Sequence, residues 1–276
     1  MYNPNPYSSE MLYGRNLGKA PNPLRVIAGE INWEIVAGFL ILIGMSIFAL
    51  WQDQPSLIVP GTVGLVLVGW VFSLCLHEFA HAATAYIGGD HSDSTRGYLS
   101  FNPLKYLHPV LSILLPLLFI LIGGIALPGG AVYLNRNLVR SRGWQSAISL
   151  AGPLMNGLIA IVASIPFWLR ITDNHPALGG ALGLLVFFQV LSVVLNLLPI
   201  PPLDGFGIIA PWLPRDLLYS LYSFANYGVL LIFAALWLVR PIGAVFFGFV
   251  YQVTAWLGVD QLFVTYGYQN FLFWLR

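Results

Sequence analysis

The chain has 276 residues, of which 12 are basic and 11 acidic, so charged types make up 8% against about 25% in an ordinary soluble domain. Apolar types reach 58%, which excludes both a soluble globule, whose surface would go unsolvated, and a disordered chain, which would be apolar-poor. A net charge of +1 gives no electrostatic case for a nucleic-acid partner, and the single cysteine, Cys75, excludes a disulfide framework or a multi-cysteine metal site.

What remains is an all-α polytopic membrane protein. Residues 1–30 are rich in Pro, Asn and Gly and lack the apolar core and small-residue cleavage site of a signal peptide, so they read as a loose arm before the first span. Crossing a hydrocarbon core of about 30 Å takes about 20 apolar residues. Runs of that kind cover 33–51, 59–87, 144–168, 178–198, 217–239 and 241–259, which predicts about six transmembrane helices. Residues 31–58 then form the first span and a short outer loop, 59–214 the membrane core, and 215–276 the C-terminal spans. The aromatics of the last stretch, from Phe246 to Trp274, suit a final span or an interfacial belt.

Basic residues in short loops set the orientation. Arg15, Lys19 and Arg25 put the N-terminal arm on the cytoplasmic side, and the loop 52–56, with no basic residue, falls outside. The loops 88–109 (Arg96, Lys105) and 128–143 (Arg136, Arg140, Arg142) both read as inside. The apolar run 110–127 lies between them, is short, contains Pro116 and ends in Gly123-Gly124. It is expected to be a re-entrant or β-like element between the second and third full spans, since irregular backbone at that depth needs protein or water around it.

The second run carries His77-Glu78-Phe79-Ala80-His81. On a helix, positions i and i+4 share a face about 6 Å apart, so two imidazoles there can hold one Zn²⁺, and the intervening Glu78 can act as general base. The bland alternative is that the histidines only hydrogen-bond within the bundle. A buried glutamate without a metal or a proton role would be costly in a span. Cys75 is read as a small apolar filler, and His91 and His175 as solvated loop residues. A tetrahedral zinc site still lacks a third protein ligand. Asp204 is the strongest candidate. It sits in Asn196-Leu-Leu-Pro199-Ile-Pro201-Pro202-Leu203-Asp204-Gly205, where three prolines break the helix and Gly205 permits a tight turn. The competing reading is that Asp204 caps the next helix. If 110–127 does not cross, Asp204 arrives on the same side as the histidines. Two polar stripes, Ser73-His77-His81-Thr84 and Gln189-Ser192-Asn196, run along helix faces and suggest a wet cavity.

Together these residues resemble the site-2 protease family of intramembrane zinc metalloproteases. The resemblance rests on His77-Glu78-x-x-His81, on Ala151-Gly152-Pro153-Leu154-Met155-Asn156, and on the Asn196–Gly205 stretch, in that order. Leu127-Pro128-Gly129-Gly130-Ala131 is similar to the family's Gly-Gly strand, and residues 99–109 are similar to its compact bacterial branch. His108 stands where compact relatives often have an acid before Pro, and no segment has the length or composition of a PDZ or CBS domain.

The resemblance implies that His77, His81 and Asp204 hold one Zn²⁺, with water as the fourth ligand. Glu78 would take a proton from that water and return it to the leaving amine. Asn156 and Asn196 would bind the substrate backbone or the developing oxyanion, or else serve as interhelical hydrogen bonds. Gly129 and Gly130 would belong to a strand that pairs with an unwound substrate, or else to an ordinary Gly-rich loop. The implied activity is endoproteolysis of a membrane-anchored protein within the lipid bilayer of a bacterial or organellar membrane. A catalytically silent scaffold of the same fold is the alternative. A metal transporter would want a polar path and inverted repeats, which are not seen.

Overall fold

The computed structural model describes residues 22–103, 138–223 and 225–275, and among these every regular element is helical. The chain runs α1 (Pro23–Glu30), α2 (Trp33–Trp51), α3 (Pro55–Gly88), α4 (Asp93–Tyr98), α5 (Arg142–Trp168), α6 (Pro176–Asn196), α7 (Asp204–Ile209), α8 (Arg215–Ser223), α9 (Ala225–Leu238), α10 (Arg240–Trp256) and α11 (Gln261–Phe271). Local chemistry marks the boundaries. The Asn32 side chain accepts from the backbone N–H of Glu34 and Ile35 to start α2, Ser141 caps α5, and Gly89 ends α3 at a φ of 115° that favours glycine.

Four of these helices, α2, α3, α5 and α6, are long and apolar enough to cross a membrane. A fifth candidate is the pair Leu230–Leu238 and Arg240–Trp256, which bends by 97° at its break. The sequence predicts about six, and the difference lies in the C-terminal third. The run 217–239 is divided between α8 and α9, and α11, at 11 residues, is too short to cross. The expected re-entrant element 110–127 lies outside the described residues. The residues flanking that stretch meet at one place, because the Arg140 N–H donates to the Gly88 carbonyl at 3.0 Å.

α6 is the axis of the bundle: 89% of its apolar window is buried, against 6% for α2 at the periphery. It packs on α5, α3 and α11. Lipid tails are as apolar as the side chains, so tight van der Waals contact must hold helices together in such an environment. Small residues provide it. A Cβ on Gly267 of α11 would overlap the Gly180 carbonyl of α6, so the two backbones touch directly.

The bundle has two distinct ends. At one, Trp51 stacks on His175, with ring centroids 3.9 Å apart, and Trp168 donates to the Leu257 carbonyl at 2.7 Å. At the other lie Trp33, which starts α2, Trp144, against Gly88, and Trp212. Tryptophan at both ends suits two membrane–water interfaces.

Two sequence expectations need correction here. His175 is half-buried and has a partner: its Nδ1 lies 2.9 Å from Asp53 Oδ2, 122 positions away, which no local pattern reveals. Within the expected loose arm, Pro23–Glu30 is a helix that buries Ile27 in a cluster with Ala82, Tyr86 and Leu99. Glu30 also pairs with Arg96 at 2.7 Å. His91 is exposed, its ring against Tyr86, and Cys75 is fully buried in a cluster with Phe101.

Candidate metal centre

His77 and His81 lie one turn apart on α3, with ring centroids 4.7 Å apart and planes nearly perpendicular at 82°. Both are buried. Their Nε2 atoms converge to 3.1 Å. Asp204 completes a triangle, with Oδ2 3.2 Å from His77 Nε2 and Oδ1 3.4 Å from His81 Nε2. Its side chain is 23% exposed, so it forms the open edge of the site.

The carboxylate reaches this position because α6 stops at Asn196 and the proline-rich turn redirects the chain. The next helix is capped at Leu203 without any side-chain hydrogen bond. Asp204 therefore does not cap α7. Its carboxylate faces the histidines instead. A Cβ on Gly205 would run into the Leu197 and Leu198 carbonyls, so only glycine lets the turn fold back this closely. The turn is anchored to α5: Ser146 Oγ donates to the Ile208 carbonyl at 2.6 Å, and Trp212 Nε1 donates to Ser146 Oγ at 2.9 Å.

The far nitrogens of both rings are engaged. His81 Nδ1 lies 2.6 Å from the Ile148 carbonyl, which can only accept, so the proton sits on Nδ1 and Nε2 presents its lone pair. His77 Nδ1 donates to Asn156 Oδ1. Two imidazole lone pairs and a carboxylate thus face each other, all three acceptors, an arrangement that a bound metal cation makes favourable. The triangle also has the right size: two ligands of a tetrahedral zinc with bonds of 2.0–2.1 Å sit about 3.3 Å apart. The three residues form a group able to hold a metal ion.

Three sequence relatives bear on this geometry. Over 217 residues, covering 78% of this chain and 82% of the relative, the chain is 42% identical to a Mycolicibacterium smegmatis protein named "Putative zinc metalloprotease Rip2". The chain belongs to the site-2 protease family of zinc metalloproteases. It is also 38% identical over 262 residues to a Mycobacterium tuberculosis protein of the same name, covering 95% of this chain and 97% of that one. A Bacillus subtilis protein named "Putative zinc metalloprotease YwhC" is 31% identical over 186 residues, 65% of this chain and 82% of its own length. No family model and no solved structure matches.

The other predicted residues of this zinc metalloprotease are placed as follows. Glu78, beside His77 on α3, is buried at 4% exposure. Asn156 lies behind His77, and its Nδ2 donates to Gln189 Oε1 at 2.7 Å. Asn196 closes α6, nearly buried, and makes no hydrogen bond to that pair. Gly129 and Gly130 lie outside the described residues. The two polar stripes meet directly, with Gln189 Nε2 donating to Ser73 Oγ at 2.9 Å.

Sequence reasoning passed over two residues that the structure brings to the centre. Gln189 was visible only as a polar residue on a helix face. Gly152 was visible only as part of a motif, yet a Cβ there would overlap the Nε2 atoms of both histidines.

Proposed function

We propose that the chain is an intramembrane endopeptidase that hydrolyses a peptide bond within or near the transmembrane segment of a membrane-anchored protein. One observation carries this reading: the acceptor triangle sits inside an apolar bundle. His77 is 11 residues, or about 16 Å, from the Gly88 end of α3, deep enough to lie below an interface.

In this reading His77, His81 and Asp204 hold the zinc. Zinc, when bound, lowers the pKa of a water towards neutrality and polarises the scissile carbonyl. Glu78 takes the proton from the attacking water on its carboxylate and returns it to the departing amine. Its burial keeps bulk solvent from competing for that proton. Asn156 orients His77 through Nδ1. Asn196, near the turn that carries Asp204, is the candidate for binding the substrate backbone. Gly129 and Gly130 are candidates for pairing with an unwound substrate segment.

The protein is multi-pass in this reading, with the site towards the cytoplasm. The placement of charge supports this. Arg25, Arg96, Arg140 and Arg142 belong to elements at the end nearer the site, whereas Arg170 lies at the far end and is paired with Asp173 at 2.8 Å.

The test compares membranes of bacterial cells producing the full-length wild type with membranes from cells producing Glu78→Gln, by mapping new protein termini. Termini specific to the wild type and located in or beside apolar segments are the expected result. No difference between the two would favour the silent scaffold, and cuts confined to soluble domains would overturn the intramembrane assignment.

A further inference from the structure

A run of four hydrogen bonds begins and ends on α3 and passes through both neighbouring helices. Ser73 Oγ donates to the Trp70 carbonyl at 2.8 Å, and Gln189 Nε2 of α6 donates to Ser73 Oγ at 2.9 Å. Asn156 Nδ2 of α5 donates to Gln189 Oε1 at 2.7 Å, and His77 Nδ1 donates to Asn156 Oδ1. Every side chain in the run is buried, and Gln189 is completely so.

The hydrogen bond from Ser73 to the Trp70 carbonyl favours one direction for this run. The Trp70 carbonyl can only accept, so the Ser73 hydroxyl directs its single proton there and turns its lone pairs to Gln189. Gln189 must then present its NH₂ to Ser73 and its carbonyl to Asn156. Asn156 must present its NH₂ to Gln189 and its carbonyl to His77. Reversing either amide would set two donors or two acceptors face to face where no water can relieve them. With the run in this direction, Asn156 offers its carbonyl to His77, and the proton of His77 sits on Nδ1.

His81 needs no such device, because a backbone carbonyl, that of Ile148, already holds its Nδ1. A carbonyl of the main chain cannot flip, whereas the carboxamide of Asn156 can. Turned around, Asn156 would offer its NH₂ to His77 and favour the tautomer with the proton on Nε2, which has no lone pair to offer at the nitrogen facing the site.

We propose that Ser73 and Gln189 are positioning residues that fix the orientation of Asn156 and, through it, the metal-binding tautomer of His77. This rests on the reading of His77 as a zinc ligand.

The test is zinc affinity of the purified full-length protein, measured by competition with a chromogenic chelator. Gln189→Met keeps the volume and removes the polar atoms. It is expected to bind zinc about 10-fold more weakly, at the low end of the effect of outer partners on metal affinity. Combined with Asn156→Leu, Gln189→Met is expected to add no further loss, because Gln189 acts only through Asn156. Should Gln189→Met fail to accumulate, Ser73→Ala makes the same test with almost no change in volume: weaker binding alone, and no added loss beside Asn156→Leu. Wild-type affinity in Gln189→Met, or losses that multiply in the double variant, would overturn the proposal while leaving the metal site intact. A wild type that binds no zinc would overturn the metal site itself.

Discussion

Gly152 of α5 faces His77 so closely that even a methyl group would overlap the nitrogen offered to the metal. The same methyl would meet His81 Nε2. Alanine favours a helix over glycine by about 1 kcal/mol, so Gly152→Ala should not unfold α5. It should instead push the histidines apart or α5 away. The expected outcome is a folded protein with little bound zinc and no proteolysis, read by metal analysis together with size-exclusion behaviour.

Glu78→Gln separates holding the metal from moving the proton. The amide has nearly the same shape but cannot accept a proton, while the triangle of His77, His81 and Asp204 is untouched. Zinc content should equal that of the wild type, and cleavage should fall by about 10²- to 10⁴-fold, the usual contribution of a positioned general base. Loss of zinc along with activity would make Glu78 a structural residue.

Much of this centre was legible in the sequence, and the reasons are specific. His77-Glu78-x-x-His81 is local, so helical geometry alone aligns the two imidazoles. Asp204 was legible because few acids lie near the apolar runs and because prolines mark the break beside it. The Ile148 carbonyl was not legible, since a backbone acceptor has no signature. The Asn156–Gln189 bond joins residues 33 positions apart on different helices, and only packing brings them together. In the fold, the four long apolar runs gave α2, α3, α5 and α6 to within a few residues. Hydropathy measures apolarity and not direction, so the 97° bend before Arg240 was invisible.

Removing the metal should cost stability as well as activity. Without a cation, three acceptors within 3.1 to 3.4 Å of one another repel or must take up protons. A ligand that binds only the folded state stabilises it by mass action. Chelation should therefore lower the Tm of the full-length protein in detergent, and added zinc should restore it. The same chelator should leave the Tm of a His77→Ala, His81→Ala double variant unchanged.

The contact of α11 with α6 calls for a different outcome. Gly267→Val would force the two backbones apart at the Gly180 carbonyl. Overpacking of this kind costs about 1–3 kcal/mol. The Tm should fall, but the site lies at the other end of α6 beyond Asn196, so the folded fraction should retain one zinc per chain.

The central claim is that His77, His81 and Asp204 form one zinc site, and Asp204 is the member that sequence spacing alone does not fix. The most direct test is the zinc affinity of the purified full-length wild type beside Asp204→Asn, whose amide keeps the shape but loses the charge. The wild type should carry one zinc per chain, and Asp204→Asn should bind it at least about 10-fold more weakly. Equal affinity in the two proteins, or no stoichiometric zinc in the wild type, would contradict the claim.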